Sequence, residues 1–478
     1  MKNSTYRKII FLSFVILFLI TNCKLPFLSK EEENNNDELL LLGLAALLSQ
    51  SQQIEEPRPF RGRSVFSYGS TSGAVVYDWN VDRGFSPLAN VNPVSIQESD
   101  SGRFSTYSEG TQFRIIDTGI NLSPHGEHYH VDKSNPRIFD PSHAGVSLDI
   151  AGTNPVRGFS YNGKSAFTYA NGQIRVLEEK TLVDENTASI TINTPTSLPT
   201  SHNGITIWMN EGKVIWSIDS NTISFRSGGI GSNFGTNDGN QTCSSWLSPA
   251  GYRFAQSGNN FSNLNLTYLY DHYLVFPCSS EVLIVKHTDS NSSTGAGTYS
   301  FPRIATSGQL SVIKPLFANN NYSLGGKSTQ AIFYGNYGSN SETSVIRINA
   351  SNLSLTSKPI ASYRSSNIVS EEKEGKEILV LDNQGQLHVL NSESLETITT
   401  QQILPDNAVL SGGNAPKLFG TWDASFILYQ TNSGEAILQE FNVKERVATR
   451  KITLPRIPSD ISFHSARSKG SDYTGPLP

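Results

Sequence analysis

The feature that most restricts the fold of this chain is a recurring hairpin unit, in which a β-rich run, a turn of Gly, Asn, Asp or Ser and a second β-rich run follow one another. The clearest copy runs from Ile378-Leu379-Val380-Leu381 through Asp382-Asn383-Gln384-Gly385 to Gln386-Leu387-His388-Val389-Leu390. Further copies lie at Gly73 to Trp79, Arg103 to Asp117, Ser165 to Leu177, Gly204 to Ile218, Tyr273 to Val285, Ala331 to Ile348 and Ser425 to Phe441. Turn residues such as Asn171-Gly172 and Gln384-Gly385 tolerate the positive φ that a tight hairpin connection needs. Most of the eight copies stand roughly 40 to 70 residues apart, the spacing of propeller blades with variable loops. An isolated hairpin cannot bury both of its faces, so radial packing of neighbouring copies is the physical reason for the repetition. A β-sandwich would instead place strands about every 8 to 12 residues with less regular higher-order spacing. The chain is therefore read as all-β, a single β-propeller of seven or eight blades.

Composition supports the same class. The chain has 38 Gly, 24 Phe and 18 Tyr against 2 Met, which suits many short strands and tight turns better than a helical bundle. With 17% charged residues and a net charge of -5, it has no surplus of either sign, and nucleic acid is not expected as a partner. Gly228-Gly229-Ile230-Gly231 lies in a polar stretch and misses the phosphate-loop pattern, so nucleotide binding has no support.

The first residues follow the grammar of an export signal. Lys2, Arg7 and Lys8 precede an uncharged run from Ile9 to Ile20, and Thr21-Asn22-Cys23 follows. The run is shorter than the about 20 residues a spanning helix needs, which favours cleavage over permanent insertion. Ile20-Thr21-Asn22-Cys23 resembles a bacterial lipobox, with Asn22 in place of the usual Gly or Ala. It implies a lipid on Cys23 and attachment to a bacterial membrane, periplasmic or surface-exposed. The organisation expected is a signal over 1–22, a lipidated tether over 23–58, a propeller over 59–466 and a tail over 467–478. Cys243 and Cys278 remain after processing in a compartment that permits disulfides, and their pairing is the simplest reading. Metal binding by the two thiolates is the rival.

The most unusual chemistry lies at Ser123-Pro124-His125-Gly126-Glu127-His128-Tyr129-His130, where three of the nine histidines fall within six residues beside one carboxylate. On an extended strand His128 and His130 share a face, and Gly126 lets the chain turn so that His125 joins them. Three or four N/O donors of this kind complete a zinc site. His202, just before a hairpin, is a distal candidate. His388, inside a strand run, reads as a satisfied strand residue, and His143, His272, His287 and His464 are isolated and read as ordinary residues rather than ligands. An ordinary solvated loop is the alternative reading of the cluster.

At this cluster the chain resembles the periplasmic zinc metallochaperone propellers of AztD type, which work with an ABC zinc importer. The resemblance runs from Phe113-Arg114-Ile115-Ile116-Asp117-Thr118-Gly119 and Leu122 into His125-Gly126-Glu127-His128-Tyr129-His130, which is similar to the family's HG[DE]HxH element. It continues through Asn154-Pro155-Val156, Asn162-Gly163-Lys164, His202-Asn203-Gly204, Cys243, Cys278, Tyr334-Gly335-Asn336-Tyr337-Gly338 and Gln386-Leu387-His388. The resemblance implies a zinc-binding propeller that passes the ion to a transporter's binding protein, with His125, His128, His130 and His202 as ligands. Glu127 is a further ligand or orients an imidazole. The chain departs from the family at Arg157 and at Ser244-Ser245-Trp246, where the family tends to carry histidines.

Two other classes of function compete with metal transfer. One is a surface interaction module that binds a protein or glycan without metal. The other is an enzyme, which is not expected: the five tryptophans recur at no single blade position and no nucleophile-elbow motif is present.

Overall fold

In a computed structural model, described here over residues 62–464 with interruptions of which the longest are 85–95, 139–154, 179–191, 194–205, 256–268 and 316–329, all regular structure is β-strand. Eight antiparallel sheets have at least four strands each, and a ninth is a two-stranded ribbon. Numbered in chain order, sheet 1 holds Arg63–Ser67, Ala74–Asp78, Arg83–Gly84 and the last strand, Asp460–His464. Sheet 2 holds Gln97–Glu98, Phe104–Glu109, Gln112–Asp117 and Arg137–Ile138. Sheets 3 to 8 begin at Pro155, Thr206, Ala250, Leu310, Tyr363 and Lys417, each continuing strand by strand in sequence order except that Arg303–Ala305 of sheet 5 pairs back onto Glu281–Asn291. This is a β-propeller, and each large sheet has the make-up of a blade.

The apolar runs of the sequence explain how the sheets stack. Ile378-Leu379-Val380-Leu381 is continuous rather than alternating because both of its faces are covered. Ile378 and Val380 pack with Ile332 and Tyr334 of sheet 6, while Leu379 and Leu381 pack with Leu418 and Ile427 of sheet 8. The same division holds in sheet 5, where Tyr273, Val275 and Ile284 meet Leu310 and Phe333 of sheet 6. Leu274, Phe276 and Val285, on the opposite face, meet Ile223 and Phe225 of sheet 4.

The ring closes by joining the two ends of the chain. Arg63–Ser67 pairs with Ala74–Asp78 on one side and with Asp460–His464 on the other. Phe66 and Phe463 of this sheet pack on Phe426 of sheet 8, and Val65 and Val76 pack on Tyr107 and Ile116 of sheet 2. The buried His464 adds polar fixation, with Nε2 at 2.8 Å from the hydroxyls of both Ser105 and Ser462 and Nδ1 at 3.2 Å from Gly102 O.

The Asp382 turn shows why its motif reads so clearly. One carboxylate oxygen accepts the N–H groups of Gln384 and Gln386, both at 2.8 Å, and the other lies 3.1 Å from His388 Nε2. Gly385 takes φ +79°, a conformation that costs a glycine little. Burial pushes the Asp382 carboxyl up, but the bonds from His388, Gln386 and Gln384 outweigh it and hold the group below its ordinary value. Asp382→Ala is expected to cost about 1 to 3 kcal/mol at neutral pH. A group with a depressed folded pKa stabilises above its unfolded value of about 4 and loses that contribution as pH falls through the folded value. Denaturant titrations of wild type and variant should therefore converge in acid, and an equal gap at pH 7 and about pH 2 would refute the assignment.

Candidate metal centres

The histidine cluster forms the end of the two-stranded ribbon, which is inserted between Gln112–Asp117 and Arg137–Ile138 of sheet 2. Its strands are Ile120–His125 and His128–Lys133, paired from Ile120↔Lys133 to Ser123↔His130 and His125↔His128. Directly opposed positions lie on one face of a ribbon, as do positions two apart, so the register puts 125, 128 and 130 on a common face. Glu127 and His202 lie outside the described residues, as do Cys23, the tether and the C-terminal tail.

Buried charge fixes the base of the ribbon. Asp117 takes two hydrogen bonds from Arg103, at 2.8 and 2.9 Å, stands 3.4 Å from Arg137 Nε, and accepts the Gly119 N–H at 2.8 Å. Arg63 donates to the carbonyl oxygens of Thr118 and Ser134 and lies 3.1 Å from Asp78, which also binds Lys133 at 2.6 Å. Gly119 has φ +72°, and a Cβ there would come within 2.3 Å of Ser134 O and 2.7 Å of the Arg63 guanidinium. Only glycine fits where the ribbon leaves the sheet.

A second donor group, absent from the sequence-based ligand set, lies in sheet 5. His272 is on Tyr270–Pro277, and His287 and Asp289 are on Glu281–Asn291. The register pairs His272 directly with His287, and Asp289 follows two residues on, so all three face sheet 4. His272 Nε2 lies 3.3 Å from Asp289 Oδ2, and His287 Nδ1 lies 3.1 Å from Oδ1. Asp289 Oδ2 also accepts the Tyr270 N–H at 3.1 Å. All three side chains are buried. Burial pushes the Asp289 carboxyl up, but the imidazoles of His272 and His287 outweigh it and hold the group well below the usual carboxylate range.

The sequence contained a signal for this group that the isolated-histidine reading passed over. In a hairpin, residues equidistant from the turn are opposed. His272 and His287 are equidistant from the Ser279-Ser280 turn, and Asp289 shares the face of His287 by the period of 2.

Cys243 and Cys278 form a disulfide, the pairing that the sequence suggests. The bridge ties the end of the last strand of sheet 4 to the turn after Tyr270–Pro277 in sheet 5. Both cysteines are buried in the cluster that joins the two sheets.

No protein-family model matches the chain, and no curated protein matches it by sequence. Solved structures do. The crystal structure of Citrobacter koseri AztD superimposes with a TM-score of 0.60 at 16% identity, covering 85% of this chain and 98% of that one. The apo form of AztD from the same organism gives 0.59 at 14% identity, covering 85% and 99%. The chain thus has an AztD-like β-propeller fold.

Proposed function

We propose that this chain is a lipid-anchored, non-enzymatic propeller of the bacterial cell envelope that binds zinc at the His125/His128/His130 ribbon and hands it on. The observation that carries this reading is the ribbon register, which opposes His125 to His128 and sets position 130 on the same face. Imidazoles grouped in this way are a borderline donor set suited to zinc. Glu127 and His202 are the further donors that the family resemblance suggests. The AztD-like fold and the lipobox-like Cys23 segment support an envelope role. The partner proposed is the binding protein of an ABC-type zinc importer.

Zinc titration of the chelated full chain tests this. The His125→Ala, His128→Ala, His130→Ala variant is expected to lose at least about tenfold in affinity for its readily exchanged zinc, the loss associated with a removed ligand or its support. Equal titrations for variant and wild type would remove the ribbon from zinc binding and leave the surface interaction module as the better account.

A further inference from the structure

The His272, His287 and Asp289 group has the geometry of a metal site, and all three side chains are buried. A tetrahedral ion with bonds of about 2.0 to 2.1 Å has donor-to-donor edges of about 3.3 Å. His272 Nε2 lies 3.3 Å from Asp289 Oδ2 and His287 Nδ1 lies 3.1 Å from Oδ1, one imidazole to each oxygen, and one donor atom from each of the three side chains lies within 4.8 Å of the others. Neither ring nitrogen of the fully buried His287 makes a well-aligned hydrogen bond among the described residues, Nδ1 having only its 3.1 Å contact with Asp289 Oδ1. A buried polar atom without a well-aligned partner is costly, and an ion at Nδ1 would supply one.

The surroundings hold this imidazole in place. Tyr299 packs against His287 with ring centroids 4.5 Å apart and leads on to Phe225 at 5.7 Å in sheet 4. On the strand beyond, a Cβ at Gly297 would fall 2.5 Å from His287 Nε2 and 2.3 Å from Thr288 O, so a glycine is what lets this strand lie against the ring.

We infer that His272, His287 and Asp289 form a buried site for a divalent metal of borderline character, zinc above all, seated in sheet 5 on its face toward sheet 4. The donor set is two imidazoles and a carboxylate, with no thiolate, which excludes a preference for Cu(I). Because all three ligands are sealed from solvent, the ion is a resident one that exchanges slowly. The inference does not depend on the ribbon binding anything.

The test starts from the full chain carrying His125→Ala, His128→Ala and His130→Ala, so that the ribbon is removed and the buried group is untouched. After growth with zinc and brief exposure to EDTA, this variant should retain about one zinc per chain. Refolded with Co2+, it should show the intense visible absorption of a tetrahedral site, and its Tm should rise with Co2+ concentration. Adding Asp289→Asn should cut retained metal at least about tenfold, and adding Gly297→Ala should do the same while leaving all three donors present. A ribbon variant without retained zinc and without a Co2+ spectrum would overturn the inference. So would equal metal content with and without Asp289→Asn. Loss of zinc titration by the ribbon variant with about one zinc still retained would uphold both sites separately.

Discussion

Replacing Asp117 with alanine is expected to remove about 3 to 5 kcal/mol of stability, because it strands a buried guanidinium. Arg103 is 3% exposed and places two hydrogen bonds on this one carboxylate, while Arg137 and the Gly119 N–H depend on it as well. Domain stabilities run to about 5 to 15 kcal/mol, so the loss would be a large fraction of the whole. Asp117→Asn should cost less, since an amide oxygen still accepts one bond from Arg103. Urea denaturation of the three proteins checks both the size and the order. The effect should also reach the ribbon, whose entry at Gly119 is bonded to Asp117 directly. A shift below about 1 kcal/mol for the alanine variant would show that water replaces the carboxylate and that the base of the ribbon is wetter than the structure has it.

Loss of the Cys243–Cys278 bridge should cost a similar amount by a different route. Cross-linking residues 35 apart removes loop entropy from the unfolded chain worth about 4 kcal/mol at 25 °C in the chain-entropy account. The Cys243→Ala, Cys278→Ala variant should therefore unfold at markedly lower denaturant than the oxidised protein. Because both sulfurs are buried in the joint between sheets 4 and 5, a thiol reductant should act only on molecules that have first opened locally. Thermal melts of the variant, and of wild type with and without reductant, make the comparison. If the variant matches wild type, the bridge is offset by structure retained in the unfolded chain.

Particular residues show how far the sequence carried. Seven of the eight hairpins read from it are the adjacent strand pairs of sheets 2 to 8, such as Glu377–Asp382 with Gln386–Asn391. The eighth, Gly73 to Trp79, supplies only the strand Ala74–Asp78, whose partner Arg63–Ser67 precedes it in the chain. Outer strands such as Thr397–Gln402 and Val447–Leu454 were not legible, because they are largely exposed and carry Thr, Gln, Arg and Lys without an apolar stripe. The ribbon cluster was visible because its histidines are adjacent in sequence. The sheet 5 group was passed over because its members meet only across a hairpin.

What the sequence determined by itself was therefore local and periodic: the β class, the radial repeat, the turn at Asp382, and the pairing of two cysteines. Those follow from side-chain size, turn preference and spacing, which act over a few residues. Tertiary structure alone decided that Arg63–Ser67 takes Asp460–His464, nearly 400 residues on, as its neighbour, and that Asp117, Arg103, Arg137, Arg63, Asp78 and Lys133 hold the base of the ribbon. It also decided that His272, His287 and Asp289 share one sealed face between two sheets. These outcomes depend on which buried surfaces meet when the ring closes, and no local preference of the chain encodes that.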